Sequence, residues 1–144
     1  MSSLSETNGG TTPSATARQA AETVVQSVQD AFNRRDPEAL AAAFTDDATW
    51  TTVFGRRLDG RAAIAEFGRE ALPRMGDQYA RYAVVRLLAV RPDVLVVNVA
   101  QTPTTASGEP ADGVPGAALY LLTDGPAGWR IAAGQNTFVG APPR

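Results

Sequence analysis

An α+β domain is the fold this chain predicts, three N-terminal helices packed on one face of a strongly curved, mixed or antiparallel sheet. Three observations carry the prediction. Apolar residues recur at helical spacing as far as Ala71, and after Gly76 the period changes to that of strands. The later strand-like runs are separated by Arg91-Pro92-Asp93, by a loop rich in Gly and Pro from Pro103 to Gly116, and by Asp124-Gly125-Pro126, the punctuation of an antiparallel meander. Finally, 144 residues with 44% hydrophobic and 19% charged side chains give room for one core and no second one of comparable size.

Taken in order, residues 1–14 are rich in Ser, Thr, Gly and Asn and bury too little to offset the entropy of ordering. They are expected to form a flexible tail, with residues 15–144 as a single domain. Thr16 and Gln19 have the form of a capping box, and Ala21, Val25, Val28 and Phe32 continue at helical spacing to about Arg34. Asp36-Pro37 reads as an N-cap followed by proline at the first helical position of a shorter helix that buries Leu40 and Phe44 and stops near Thr45. Ala48 to Phe54 is the first expected strand, ended by Gly55. Asp59-Gly60 then gives a turn and cap before a helix through Ile64 and Phe67, closed by Leu72-Pro73. The remaining strands are expected over Tyr79–Val90, Val94–Thr104, Ala117–Thr123 and Trp129–Val139.

Composition excludes much chemistry. All thirteen basic residues are arginine, and the chain has no lysine, histidine or cysteine. A Schiff base, a thiolate nucleophile, an imidazole base, a disulfide and a histidine or thiolate metal site are therefore ruled out, and neither a cofactor nor a metal is expected. Acid-base work is left to Asp, Glu or Tyr. A net charge of -2 with scattered arginines offers no basic stripe for nucleic acid. Met1 to Ala15 lacks the basic start and apolar core of a secretory signal, and no apolar run approaches the roughly 20 residues of a membrane span. A cytoplasmic protein is expected, with no membrane or nucleic-acid partner.

Three segments carry a family resemblance: Phe44-Thr45-Asp46-Asp47-Ala48, the turn and helix start Leu58-Asp59-Gly60-Arg61-Ala62-Ala63-Ile64, and the last strand Trp129-Arg130-Ile131-Ala132-Ala133-Gly134-Gln135-Asn136-Thr137. Over residues 17 to 139 the chain resembles the SgcJ/EcaC group of SnoaL-like proteins, within the nuclear transport factor 2-like superfamily. That resemblance implies a cone-shaped (cystatin-like) fold in which a curved sheet wraps a deep apolar pocket. It also implies a setting in enediyne antibiotic biosynthesis, beside a polyketide synthase, with a polyketide or polyene as ligand. In ketosteroid isomerases, which the first seventy residues resemble in spacing, the catalytic aspartate falls on Thr52, the helix tyrosine on Val28 and the proton-donating aspartate on Leu119. None of these three can perform the corresponding role.

The carboxylates support the same negative result. Asp36, Asp59, Asp93, Asp112 and Asp124 stand beside Pro or Gly in turn or cap settings, Asp46 and Asp47 are expected in a turn, and none lies in an expected strand. Period 2 places Trp50, Thr52 and Phe54 on one face of the first strand, either lining a ligand site or filling the cone. Gly134, Asn136 and Phe138 share a face of the last strand, which the resemblance to the isomerases implies is the inward one. A ligand, a water, Thr52, Gln101 or backbone must satisfy the Asn136 amide. Tyr79, Tyr82 and Tyr120 are more simply packing residues than proton donors, and Arg81 and Arg86 are expected on opposite faces of their strand. With Leu119, the candidate ligand-binding set is Trp50, Thr52, Phe54, Leu119, Asn136 and Phe138. Two functions follow: a binding accessory protein, dimeric through the outer face of its sheet and holding an apolar polyketide or polyene, or a cyclase, isomerase or hydratase acting on such a compound.

Overall fold

The computed structural model describes residues 12–140, so residues 1–11 of the expected tail lie outside the described residues. Helix α1 spans Ala15–Arg34 and is capped by Ser14, whose hydroxyl accepts from the Ala17 N–H at 3.0 Å. The expected capping box at Thr16 lies inside the first turn instead, because Ser14 already satisfies the third helical N–H. Helix α1 buries Ala21, Val24, Val25, Val28 and Ala31 along one stripe. Its end is fixed by Arg35, in the left-handed region at φ 59, whose guanidinium donates to the carbonyls of Gly76 and Gln78 at 2.8 and 2.6 Å and lies over the Tyr79 ring. Helix α2, Pro37–Ala42, starts as expected, with Asp36 accepting from the Ala39 N–H and proline first.

Strand β1 runs Phe44–Thr51, earlier at both ends than the sequence suggests. Phe44 lies opposite Ile131 and Thr49 opposite Ala133 of the last strand, and Asp46 and Asp47 fall in the irregular stretch between these pairings, as exposed strand residues rather than a turn. The segment after Gly55 is not only a turn. It forms β2, Arg57–Asp59, antiparallel to β1 with Trp50 opposite Leu58. Helix α3, Arg61–Ala71, buries Ile64, Ala65 and Gly68 and passes into a 3-10 turn at Leu72–Met75. Strands β3 (Tyr79–Arg91), β4 (Val94–Thr104), β5 (Gly116–Gly125) and β6 (Gly128–Phe138) form the expected meander. The six-stranded sheet has the order β2-β1-β6-β5-β4-β3, with only the β1–β6 pair parallel.

Register sorts the helix-facing side of the sheet into four rows. The innermost joins Phe44, Ile131, Leu122, Leu95 and Ala89. The second joins Trp50, Gly134, Tyr120, Val97 and Leu87. Next come Asn136, Ala118, Val99 and Val84, and at the rim Phe138, Gly116, Gln101 and Tyr82. Burial follows the rows: Phe44, Ile131, Leu122, Leu95, Tyr120 and Val97 have no more than 1% of their surface exposed. Helix α1 also seals the β3 edge, since the Asn33 amide both donates to and accepts from Ala80 and Gln29 accepts from the Tyr82 N–H.

One expectation about β3 fails for a clear reason. A bulge between Val84 and Arg86 inserts one residue, so Arg81, opposite Thr102, and Arg86, opposite Asn98, fall on the same outer face.

Candidate functional site

Trp50 reaches the concave side from the end of β1, where the sequence alternates outward threonines with inward aromatics. Its indole N–H donates to the Asn136 side-chain oxygen at 2.8 Å. Its ring packs on Phe44 and edge-on against Phe67 of α3, both with centroids 5.7 Å away. The Asn136 side-chain oxygen thus has its partner within the protein, one that the sequence did not point to. Trp50 was expected to share its strand face with Thr52 and Phe54, but β1 ends at Thr51.

Thr52 is buried and makes the following turn. Its N–H donates to the Arg56 carbonyl, its carbonyl accepts from Gly55, and its hydroxyl accepts from the Phe54 N–H at 3.4 Å. Phe54 consequently stands on a turn rather than a strand, 82% exposed, because the hairpin to β2 turns the chain before a third inward position is reached. It nevertheless meets Phe138, which is 47% exposed at the rim, in an edge-to-face pair 5.6 Å between centroids. Leu119 is misplaced by one residue. Its neighbours Ala118 and Tyr120 face inward, whereas Leu119, opposite Asn98 and Gln135, lies on the outer face and is 48% exposed. The structure therefore brings together Trp50 with Asn136 and Phe54 with Phe138, uses Thr52 for the turn, and removes Leu119 to the other side.

The inward position next to Leu119 belongs to Tyr120, only 1% exposed. Burial pushes its phenol from 10.0 up to about 12, an effect that the polar side chain of Asn136 nearby partly opposes. Burial also raises the Tyr82 phenol above its ordinary value, and the proximity of Tyr120 adds to this. Both phenols stay protonated at neutral pH. Gly134 makes the packing possible: a Cβ there would come within 2.8 Å of the Tyr120 ring and 3.4 Å of the Trp50 ring. At the rim, the Gln101 side chain lies across Gly116 in the space a Cβ would need. The sequence marked Gly134 only as a member of a strand face and Gly116 only as a loop end; their packing role depends on register opposite a bulky cross-strand neighbour, which a single strand does not display.

Where the resemblance implies a deep hollow, Tyr120 is buried and Trp50 packs against Phe67. Two grooves, about 500 and 420 Å³, lie elsewhere and border none of the six candidate residues. Among the described residues no buried side-chain nitrogen or oxygen lacks a hydrogen-bond partner, and no group of three Asp or Glu side chains is placed to hold a metal. No described helix is long and apolar enough to cross a membrane.

Comparison with known proteins bears on this arrangement. A SnoaL-like domain model matches residues 24–132. Nothing among the curated proteins matches. A domain of unknown function with a cystatin-like fold from Nostoc punctiforme superposes with a TM-score of 0.78 at 24% identity, over 89% of this chain and 80% of that one. A ketosteroid isomerase-like protein from Erwinia carotovora atroseptica gives 0.69 at 20% identity, over 85% and 96%. An NTF2-like protein with a cystatin-like fold from Novosphingobium aromaticivorans gives 0.67 at 21%, over 87% and 83%. At these identities the structures establish the fold, a curled mixed sheet with helices packed against it.

Proposed function

Because this chain belongs to the SnoaL-like domain family, within the nuclear transport factor 2-like superfamily, we propose that it is a binding protein for an elongated apolar ligand, held at the rim of the curled sheet. The observation that carries this reading is the aromatic pair of Phe54 and Phe138. Two phenylalanines stacked edge to face, with Phe54 82% exposed, form an apolar patch that water covers at a cost and a ligand would cover at a gain. Val139, itself 47% exposed, extends the patch along the chain. Behind it the Trp50–Asn136 pair gives a polar floor, and Gln101 at the rim offers an amide within the same row as Phe138.

The ligand class proposed is a polyketide or polyene, supplied by a polyketide synthase in enediyne biosynthesis. Support comes from the three sequence segments that resemble SgcJ/EcaC-type proteins and from the exposed aromatic pair at the rim. We favour binding over cyclase, isomerase or hydratase chemistry because, among the described residues, no carboxylate is buried in the interior and the Tyr120 phenol is sealed from a substrate. The protein is further proposed to work as a homodimer through the outer sheet face, where Leu119 is 48% and Val85 63% exposed.

A neutral linear polyene, 1,6-diphenylhexatriene, tests the binding. Its fluorescence should rise saturably with wild-type protein and rise far less with Phe54→Ser/Phe138→Ser. Incubation with the released product of a polyene-forming synthase tests catalysis. A new species formed over many turnovers, seen by mass and absorbance, would replace the binding reading with the enzymatic one. Leu119→Arg should yield monomers in sedimentation; an unchanged mass would place the dimer contact elsewhere or remove it.

A further inference from the structure

We propose that the molecule carries a second site, remote from the aromatic rim, for a small organic anion: a carboxylate or phosphate ester borne on a flat apolar group. The site is the groove of about 420 Å³ between α1, α2 and the start of β6. That volume is in the range of small-molecule sites, about 300–1,000 Å³. Trp129 borders it, and Phe138 of the rim lies nine residues further along the same strand, roughly 25–30 Å away at about 3.3 Å per residue.

Charge distinguishes this groove from its neighbour. The two share Ala42 and Arg130, so they meet across the end of α2. In the larger groove the other guanidiniums are spoken for: Arg61 donates to the Phe44 carbonyl and pairs with Asp46 at 2.6 Å, and Arg69 pairs with Glu38 at 2.9 Å. In the smaller one, Arg34 and Arg130 have no carboxylate within 4.0 Å and no side-chain hydrogen bond among the described residues. The one carboxylate on that wall, Asp30, accepts from the amides of Gln26 and Gln29. Arg34 has a structural reason to be where it is, since a cation in the last turn of α1 complements the helix dipole. Arg130 has no comparable one.

Trp129, half-buried, lines the same groove as these cations, together with the small side chains of Ala31, Ala39 and Ala43. An indole face offers a stacking surface, small side chains leave depth beside it, and guanidiniums supply the forked donors that carboxylate and phosphate accept. Arg-rich composition alone would give neither the aromatic wall nor the cavity. The combination selects a ligand that is planar and anionic at once. This inference does not depend on the rim reading, and the two can fail separately.

Trp129 makes the test direct, because the chain has only two tryptophans and hence two indole N–H signals in a nitrogen-15 correlation spectrum. The full chain would be titrated with benzoate, with phenyl phosphate and with the neutral benzyl alcohol, each to about 10 mM. The Trp129 signal should move saturably with one or both anions and not with the alcohol, while the Trp50 signal stays fixed. Whichever anion binds more tightly identifies the acid group. Arg130→Gln and Arg34→Gln should each weaken that affinity by about tenfold or more, the loss expected for a charge-assisted bond. An unmoved Trp50 signal shows that the variants remain folded. Absence of any saturable shift, equal binding of the alcohol, or undiminished affinity in both variants would overturn the proposal.

Discussion

The inner and outer rows of one sheet face make different use of similar residues. In the second row Tyr120 is buried and Trp50 half-buried, and both pack across Gly134, so these rings contribute most of their area to the core. Two rows further out, Phe138 is half-exposed and Phe54 almost wholly so, although they touch each other as closely as Trp50 touches Phe67. Buried aromatics stabilise the fold, whereas exposed ones leave a free energy of desolvation to be gained by something else. The difference teaches where a sealed member of a pocket-forming fold can still bind: at the margin where packing stops.

Mutation should separate the two regions by stability. Trp50→Ala removes a ring packed on Phe44 and Phe67 together with the bond to Asn136, and should cost about 3–5 kcal/mol in urea unfolding. Gly134→Ala forces a methyl against the flat Tyr120 ring and should cost about 1–3 kcal/mol, relieved in part by Tyr120→Leu, a non-additivity that a double-mutant cycle would expose. Asn136→Ala leaves the indole N–H without its acceptor, at about 1–3 kcal/mol, and Trp50→Phe in the same chain should recover part of that loss. Phe54→Ser, by contrast, should leave stability within about 0.5 kcal/mol of wild type. Near-equal losses at Trp50 and Phe54 would erase the distinction.

The alkaline limb of the stability curve sharpens it further. Tyr120 titrates near 10.0 when unfolded and about 12 when folded, so its contribution is fully present below about pH 10 and is lost as pH rises through about 12. Tyr82, shifted in the same direction, adds to the loss. Stability should therefore be level in this respect from neutral pH to about 9 and fall steeply above 10, and Tyr120→Phe should flatten the fall. An unchanged slope in that variant would mean that the phenol is open to solvent.

Much of this was legible in the sequence. The change of period after Gly76, the Asp36-Pro37 start and the turn residues between strands are local signals, and the meander follows them to within a residue or two. Trp50 and Asn136 were recognised as inward residues through the resemblance to ketosteroid isomerases, and the irregularities of β1 and β6 lie before both of them. What local pattern could not convey was register across strands. β1 begins at Phe44, opposite Ile131, so Asp46 and Asp47 fall in an irregular stretch inside it, the bulge at Val84 reversed the side of Arg86, and a shift of one residue put Tyr120 rather than Leu119 inside. The same ignorance of pairing hid how Gly134 and Gly116 let large side chains pack across them. Trp129 and Arg130 were read only as part of a family segment, since the groove beside them is made by α1 and α2.

The most direct test of a sealed centre with a binding margin is a diphenylhexatriene titration of Phe54→Ser/Phe138→Ser beside Tyr120→Phe. The rim variant should lose affinity about tenfold or more at unchanged stability, and the core variant should bind like wild type. Intact affinity in the rim variant, with affinity lost in Tyr120→Phe, would mean that the ligand enters the interior after all.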